Sequence, residues 1–146
     1  MAATANDNII TSTDGMLDVL REARRVAVIG IKPESRAAAP AFYVPRYLQS
    51  VGYEIVPVPV YYPEVTTILG EPVYRSLADV PGDVDLVVVF RRPADVAKHV
   101  DEILAKRPAA VWLQLGIRND EAAARWAAAG IRVVQDRCSM VEHRRL

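Results

Sequence analysis

Five short apolar runs, rich in β-branched residues, recur along the chain: Val26–Ile31, Glu54–Val60, Leu86–Phe90, Ala110–Leu115 and Ile131–Gln135. Most are apolar at consecutive positions, the pattern of strands covered on both faces of a parallel sheet. Between them polar and apolar residues fall at helical spacing. Asp14–Arg25 gathers Met16, Leu17 and Leu20 on one face, with Thr13 available as N-cap. Pro40–Ser50 ends at Val51-Gly52, where glycine can take the left-handed capping conformation. Pro93–Lys106 opens on proline and closes on Lys106 and Arg107, a favourable charge order for a helix. Asn119–Ala129 has Asn119 as N-cap, Asp120 and Glu121 in its first turn and Gly130 as its stop.

This β-α-β alternation predicts an open, doubly wound α/β fold, a parallel five-stranded sheet with right-handed crossovers that place helices on both faces. Residues 13–146 are expected to form a single domain behind a flexible N-terminal segment, 1–12. Two stretches resist the pattern. Pro57–Pro72 is a proline-rich irregular segment and Cys138–Leu146 a short polar tail. Loops of that length in a compact domain are usually functional or mobile.

Composition narrows the partners. Eighteen basic and eighteen acidic side chains cancel, which argues against a large electrostatic footprint for nucleic acid or an anionic membrane. Only Lys32, Lys98 and Lys106 are lysine and the other cations are arginine, the residue suited to bidentate phosphate and carboxylate contacts. Cys138 is the one cysteine, so no internal disulfide framework or multi-cysteine zinc site can form. No apolar run approaches the roughly 20 residues of a membrane span. Met1–Ser12 lacks the apolar centre of a signal peptide, and a cytoplasmic location is expected.

Ligands of open α/β sheets bind beyond the carboxyl ends of the strands, where strand order reverses, so the residues after each strand carry the candidate chemistry. The first strand is followed by Gly30-Ile31-Lys32-Pro33-Glu34-Ser35-Arg36. Glycine there permits close backbone approach, and Lys32 and Arg36 can share an anion with free N–H groups of the next helix. The bland alternative is a tight turn beside two solvated cations. The dinucleotide fingerprint G-x-G-x-x-G and a Walker lysine motif are both absent. After the third strand Phe90, Arg91 and Arg92 precede Pro93, placing two cations at a helix start that disfavours them. An anion between them would relieve that conflict; otherwise both point to solvent. Phe90 could belong to the core or wall a pocket.

Gln114 interrupts the fourth apolar run and needs a hydrogen-bond partner if buried, either backbone or ligand. Trp112 reads as core. Cys138 and His143 raise a nucleophile hypothesis, since an imidazole can lower a thiol pKa, against the commoner buried structural cysteine. His99, on an amphipathic helix, reads as a surface residue. No carboxylate pair or ligand cluster argues for glycosidase or metal chemistry.

Together the strand-tip residues raise a resemblance that none supports alone. The chain from about Arg25 onward resembles the small, stand-alone CoA-binding domain proteins of bacteria, which are Rossmann-like and related to the CoA-binding domain of the succinyl-CoA synthetase α subunit. The residues that carry it are Val26–Ile31, Tyr47-Leu48, Gly52-Tyr53, Ile68–Tyr74 and Ser76–Pro81. Further along they are Asp85, Phe90-Arg91-Arg92, Val111–Ile117, Asp136-Arg137-Cys138 and Glu142-His143-Arg144.

The resemblance implies CoA lying across the strand tips. Gly30, Ile31, Lys32 and Arg36 would meet the phosphates. Pro59, Val60, Tyr74, Ser76 and Leu77 would lie along the adenosine. Phe90, Arg91 and Arg92 would border the pyrophosphate and pantetheine, and Gln114, Gly116 and Ile117 the thiol end. Two departures matter. Many relatives read Pro-Val-Asn-Pro where this chain has Pro57-Val58-Pro59-Val60-Tyr61-Tyr62, so two aromatic rings stand ready to stack on adenine or fill space. Ala37-Ala38-Ala39 also makes the loop after the first strand less polar than usual.

The leading expectation is therefore a non-catalytic CoA or acyl-CoA binding protein, as a possible homodimer or the partner of a larger enzyme. The alternatives are an NAD(P)- or nucleotide-dependent enzyme and a redox-responsive thiol protein using Cys138. Against the first stands the missing glycine fingerprint.

Overall fold

The structure, a computed structural model, describes residues 5–146. Its elements in chain order are α1 (Thr13–Glu22), β1 (Arg25–Ile29), α2 (Pro40–Ser50), β2 (Glu54–Val58), β3 (Thr67–Ile68) and β4 (Glu71–Pro72). There follow β5 (Leu86–Val89), α3 (Val100–Lys106), β6 (Ala110–Leu113), α4 (Asp120–Ala128), β7 (Arg132–Val134) and α5 (Ser139–His143). Five strands form one parallel sheet in the order β2-β1-β5-β6-β7. The doubly wound, Rossmann-like α/β fold expected from the hydrophobic pattern is the fold observed.

Consecutive apolar residues in each strand serve opposite faces, because side chains alternate across a sheet. From β1, Val26 and Val28 enter a core built with Met16, Val19 and Leu20 of α1 and Phe42, Val44 and Leu48 of α2. Ala27 and Ile29 enter the second core, with Val100 and Ile103 of α3 and Ala122, Ala123 and Trp126 of α4. Trp112 is fully buried in the first core and donates Nε1–H to the Arg137 carbonyl at 2.8 Å, as befits a core tryptophan that still needs a partner for its one donor.

The amino end of the sheet is tied shut by charge. One oxygen of Asp85 accepts from the backbone N–H groups of Arg24 and Arg25 at 3.0 and 2.8 Å. The Arg25 guanidinium reaches the carbonyls of Pro81 and Asp83 and pairs with Glu54 at 2.9 Å.

Several expectations are corrected. Ser12, not Thr13, caps α1 by accepting from Gly15 N–H, and the helix stops at Glu22 because Arg25 already belongs to β1. Pro93–His99 is a 3-10 segment that becomes α-helical only at Val100. Residues three apart eclipse in that geometry, which suits the Arg92–Asp95 and Asp95–Lys98 ion pairs. The irregular stretch after β2 contains the β3–β4 hairpin, turned by Leu69 and Gly70 at positive φ. The polar tail contains α5, which buries Ser139 and Glu142. Ahead of α1, Asn6–Asn8 form a 3-10 turn and Ile9 bridges in parallel to Val133; residues 1–4 of the lead-in lie outside the described residues. No helix among the described residues is long and apolar enough to cross a membrane.

Candidate functional site

The strand order reverses between β1 and β5, and a cleft of about 570 Å³ opens at their carboxyl ends. Lys32, Arg91 and Arg92 line it, and no aspartate or glutamate does. Apolar and aromatic surface comes from Phe90, Tyr43, Tyr61, Leu115 and Ile117.

Gly30 is the hinge of the site. Its φ is +83°, and a Cβ there would lie 2.0 Å from the Phe90 carbonyl oxygen. The loops leaving β1 and β5 thus touch through backbone alone. Gly30 N–H donates to Val58 O and Phe90 N–H to Ile29 O, each at 2.9 Å, carrying the sheet pattern one residue past the strands.

Lys32 is held by an irregularity of the neighbouring helix. Pro45 sits inside α2 and brings no N–H for the Ala41 carbonyl one turn earlier. That carbonyl instead accepts from Lys32 N–H at 3.0 Å. The proline frees an acceptor, and the acceptor anchors the loop. Among the described residues the Lys32 ammonium has no hydrogen-bond or ion-pair partner.

Arg91 is positioned by a relay. Its Nε donates to His99 Nε2 at 3.0 Å, and His99 Nδ1 lies 2.7 Å from Glu102 Oε1. The other oxygen of Glu102 accepts from Leu77 N–H at 3.3 Å. Accepting from Arg91 requires a bare Nε2, so the proton sits on Nδ1 and the ring is the neutral tautomer. His99 is half-buried behind Arg91, outside the cleft lining, and is not a surface residue. The Arg91 guanidinium carbon also lies 5.9 Å from the centroid of the exposed Tyr61 ring, a cation–π approach.

Arg92 differs. It is paired with the buried Asp95, whose second oxygen meets Lys98 at 3.0 Å. Hydrogen bonds from Lys98 and then Arg92 pull the Asp95 carboxyl down to about 2. The charge conflict expected at this helix start is therefore relieved by the protein's own carboxylate.

On the far wall Gln114 is buried, and its Oε1 accepts from Ser139 N–H at 3.0 Å. Its oxygen partner is backbone, which leaves the amide NH₂ as the group available to the cleft. Asp136, at φ +56°, accepts from Gly116 N–H at 2.7 Å and fixes the turn after β6. Cys138 lines the same wall and is half-buried. Its suggested partner lies elsewhere: His143 Nδ1 is 2.8 Å from the Tyr47 hydroxyl, and burial lowers the imidazole pKa. Among the described residues no hydrogen bond joins Cys138 to His143. Nor is any group of three or more His, Cys, Asp or Glu side chains among them placed to hold a metal ion.

Of the residues named from sequence, Gly30, Lys32, Phe90, Arg91, Arg92, Gln114 and Ile117 come together in the cleft. The side chains of Ile31 and Leu77 are in the core, and Pro59 is buried. Arg36, Val60, Tyr74, Ser76 and Gly116 stand outside the cleft lining. Sequence reasoning did not find Ala39, Pro40, Ala41, Tyr43 and Leu115. The signal for the first four was the proline-started helix directly after the glycine loop, whose opening turn must face the strand tips.

The chain belongs to the CoA binding domain family, whose model matches residues 24–144. It is 32% identical to the uncharacterized protein YneT of Bacillus subtilis (strain 168) over 126 residues, 86% of this chain and 90% of that protein. A solved structure from Thermus thermophilus is 41% identical and superposes with a TM-score of 0.83 over 92% of this chain and 98% of that one. A hypothetical protein from Pyrococcus horikoshii OT3 is 29% identical with a TM-score of 0.83, covering 100% of this chain and 99% of that one. Family membership supports CoA as the ligand.

Proposed function

We propose that this chain is a non-catalytic binder of CoA or an acyl-CoA, which lies across the carboxyl ends of β1, β5 and β6. The observation that carries the reading is the Gly30–Phe90 contact: backbone lines the reversal point where any side chain would stand, beside Lys32 and Arg91, neither of which pairs with a carboxylate among the described residues. A pyrophosphate fits such a place, taking charge-assisted bonds from Lys32 and Arg91, with Arg36 close in sequence. Pro59, Val60, Tyr74, Ser76 and the Leu77 backbone then flank the adenosine, with Tyr61 as a ring to stack on. Ile31 contributes through its backbone, while Phe90 and Arg92 border the pantetheine. Gln114, Gly116 and Ile117 receive the thiol end.

The non-catalytic part rests on the imidazoles. Both ring nitrogens of His99 are engaged, by Arg91 and Glu102, and neither His99 nor His143 lines the cleft, so no imidazole stands there as a general base among the described residues. A second reading is favoured by one observation, that Cys138 lines the wall where the thiol end would come. Cys138 would exchange with CoA disulfide, its thiolate forming a mixed disulfide and one CoA thiolate leaving.

Native mass spectrometry with CoA, acetyl-CoA and NAD, offered separately, tests the main reading. The expected result is one adduct with CoA or acetyl-CoA that Arg91→Ala weakens. No CoA adduct, or a preference for NAD, would overturn it. Intact mass after incubation with CoA disulfide, denatured and without reductant, tests the second; an unmodified Cys138 ends it.

A further inference from the structure

A second groove of about 570 Å³ adjoins the cleft, and the two share Tyr43 of α2. Ala37, Arg46, Tyr47, Ser50, Met140 and Arg144 complete its lining, again with no carboxylate. Every carboxylate–arginine pair among the described residues lies elsewhere; Arg46 and Arg144 have none. Both residues are exposed, and each guanidinium lies over an aromatic ring. Arg46 lies 5.6 Å from the centroid of the buried Phe42 ring, one turn back along α2 towards the cleft. Arg144 lies 5.4 Å from the centroid of the Tyr47 ring and touches Met140 Sδ. The Tyr47 hydroxyl is itself fixed by His143, whose ring meets those of both Tyr47 and Tyr53 edge-on.

From this arrangement we infer that the groove is a second anion site, taking a carboxylate or phosphate group of a small molecule beside the CoA cleft. Two arginines set on aromatic rings, facing one depression without a counter-charge, suit planar or tetrahedral oxyanions. The groove begins beside the Cys138 wall, since Met140 follows that cysteine by two residues and lines it. Two sources supply the same chemistry: a carboxylate at the far end of an acyl group carried on CoA, or a free small anion bound next to it. The first source rests on the CoA reading above; the second does not.

Titration calorimetry on the full chain separates them. The CoA probes are CoA, acetyl-CoA and succinyl-CoA; the free probes are succinate and inorganic phosphate, each with and without CoA. The proteins are wild type, an Arg46→Ala/Arg144→Ala double variant and Arg24→Ala, an exposed arginine remote from both depressions. If the carboxylate rides on the acyl group, succinyl-CoA binds about five- to tenfold more tightly than acetyl-CoA, and the double variant alone loses that margin. If the anion is free, succinate or phosphate binds wild type and Arg24→Ala but not the double variant. Either result supports the site, and both margins shrink with added salt. Equal affinity for the two acyl-CoAs, with no free-anion binding that depends on Arg46 and Arg144, overturns it. Failure of all three CoA probes would strike the CoA reading, and the free-anion arm would still decide this one.

Discussion

The two ends of the parallel sheet use charge in opposite ways. At the amino end Asp85 closes two backbone N–H groups, and Arg25 is spent on two carbonyls and Glu54. At the carboxyl end, among the described residues, Lys32 has no side-chain partner, Arg91 is held by an imidazole instead of a carboxylate, and the lining carries no acid. Asp85 and Arg91 both belong to the residues that mark the family in the sequence, yet the first has a structural task and the second a cationic group left available. The lesson is that a motif residue is read by what remains unsatisfied around it, not by its type.

Substitutions at the two ends should therefore separate stability from binding. The largest effect is expected at Gly30, where both kinds of loss coincide. Gly30→Val forces a β-branched residue to φ +83° and drives its Cβ into the Phe90 carbonyl. A loss of about 3 kcal/mol or more is expected in urea denaturation, together with loss of CoA binding in whatever remains folded. Asp85→Ala should come next and affect one property only. It returns the exposed Arg24 N–H to water and leaves the part-buried Arg25 N–H unmatched, costing about 1–3 kcal/mol in the same assay, with CoA affinity unchanged. A large affinity loss in Asp85→Ala would break the contrast between the ends.

Arg91→Ala is the converse case. Stability should change by less than about 1 kcal/mol, while CoA affinity falls about tenfold, a difference of about 1.4 kcal/mol by calorimetry. Glu102→Gln sharpens this, because it weakens the group orienting His99 and should reproduce part of the Arg91 loss without touching ligand. A smaller effect is expected for Pro45→Ala. The new N–H competes for the Ala41 carbonyl that now holds Lys32, so affinity should fall a few-fold while the helix is no less stable.

The pH dependence gives the smallest signal and lies outside the cleft. Burial lowers the His143 pKa below its ordinary 6.5, so the folded state binds fewer protons there than the unfolded chain. That contribution to stability is complete above pH 6.5 and is lost as pH falls towards and through the lowered value. His143→Gln should flatten this limb of a stability–pH profile. Asp95 acts at lower pH in the same sense: held at about 2, it contributes fully above the ordinary carboxylate range and fades on acidification towards that value.

Much of this was legible in the chain, for definable reasons. Uninterrupted β-branched runs located every strand of the large sheet, and Pro40–Ser50 runs between the bounds its proline and Val51-Gly52 suggested. Asn119 caps α4 through Ala122 N–H as its side-chain type demands. Elements too short for periodicity escaped: β3 and β4 have two residues each, and α5 has five of mixed polarity, tied down by the Gln114 oxygen on Ser139 N–H and by the Arg145–Glu142 pair.

The site divides in the same way. Residues at strand tips could be named because a parallel sheet directs its strand ends to one edge. Ile31 and Leu77 stood beside motif residues, but both are apolar and went to the core. The His99 relay and the Pro45–Ala41–Lys32 link could not be read. Each depends on which carbonyl or ring nitrogen a neighbouring element leaves free, and only packing decides that.

On the proposed reading the open end of the sheet, and not the closed one, receives CoA. Amide chemical-shift mapping of isotopically labelled protein during CoA titration tests it directly. Saturable shifts are expected at Gly30, Lys32, Phe90, Arg91 and Gln114, with Arg25, Glu54 and Asp85 still. Shifts centred on the amino-end residues, or none at Gly30 and Phe90 at saturating CoA, would contradict it.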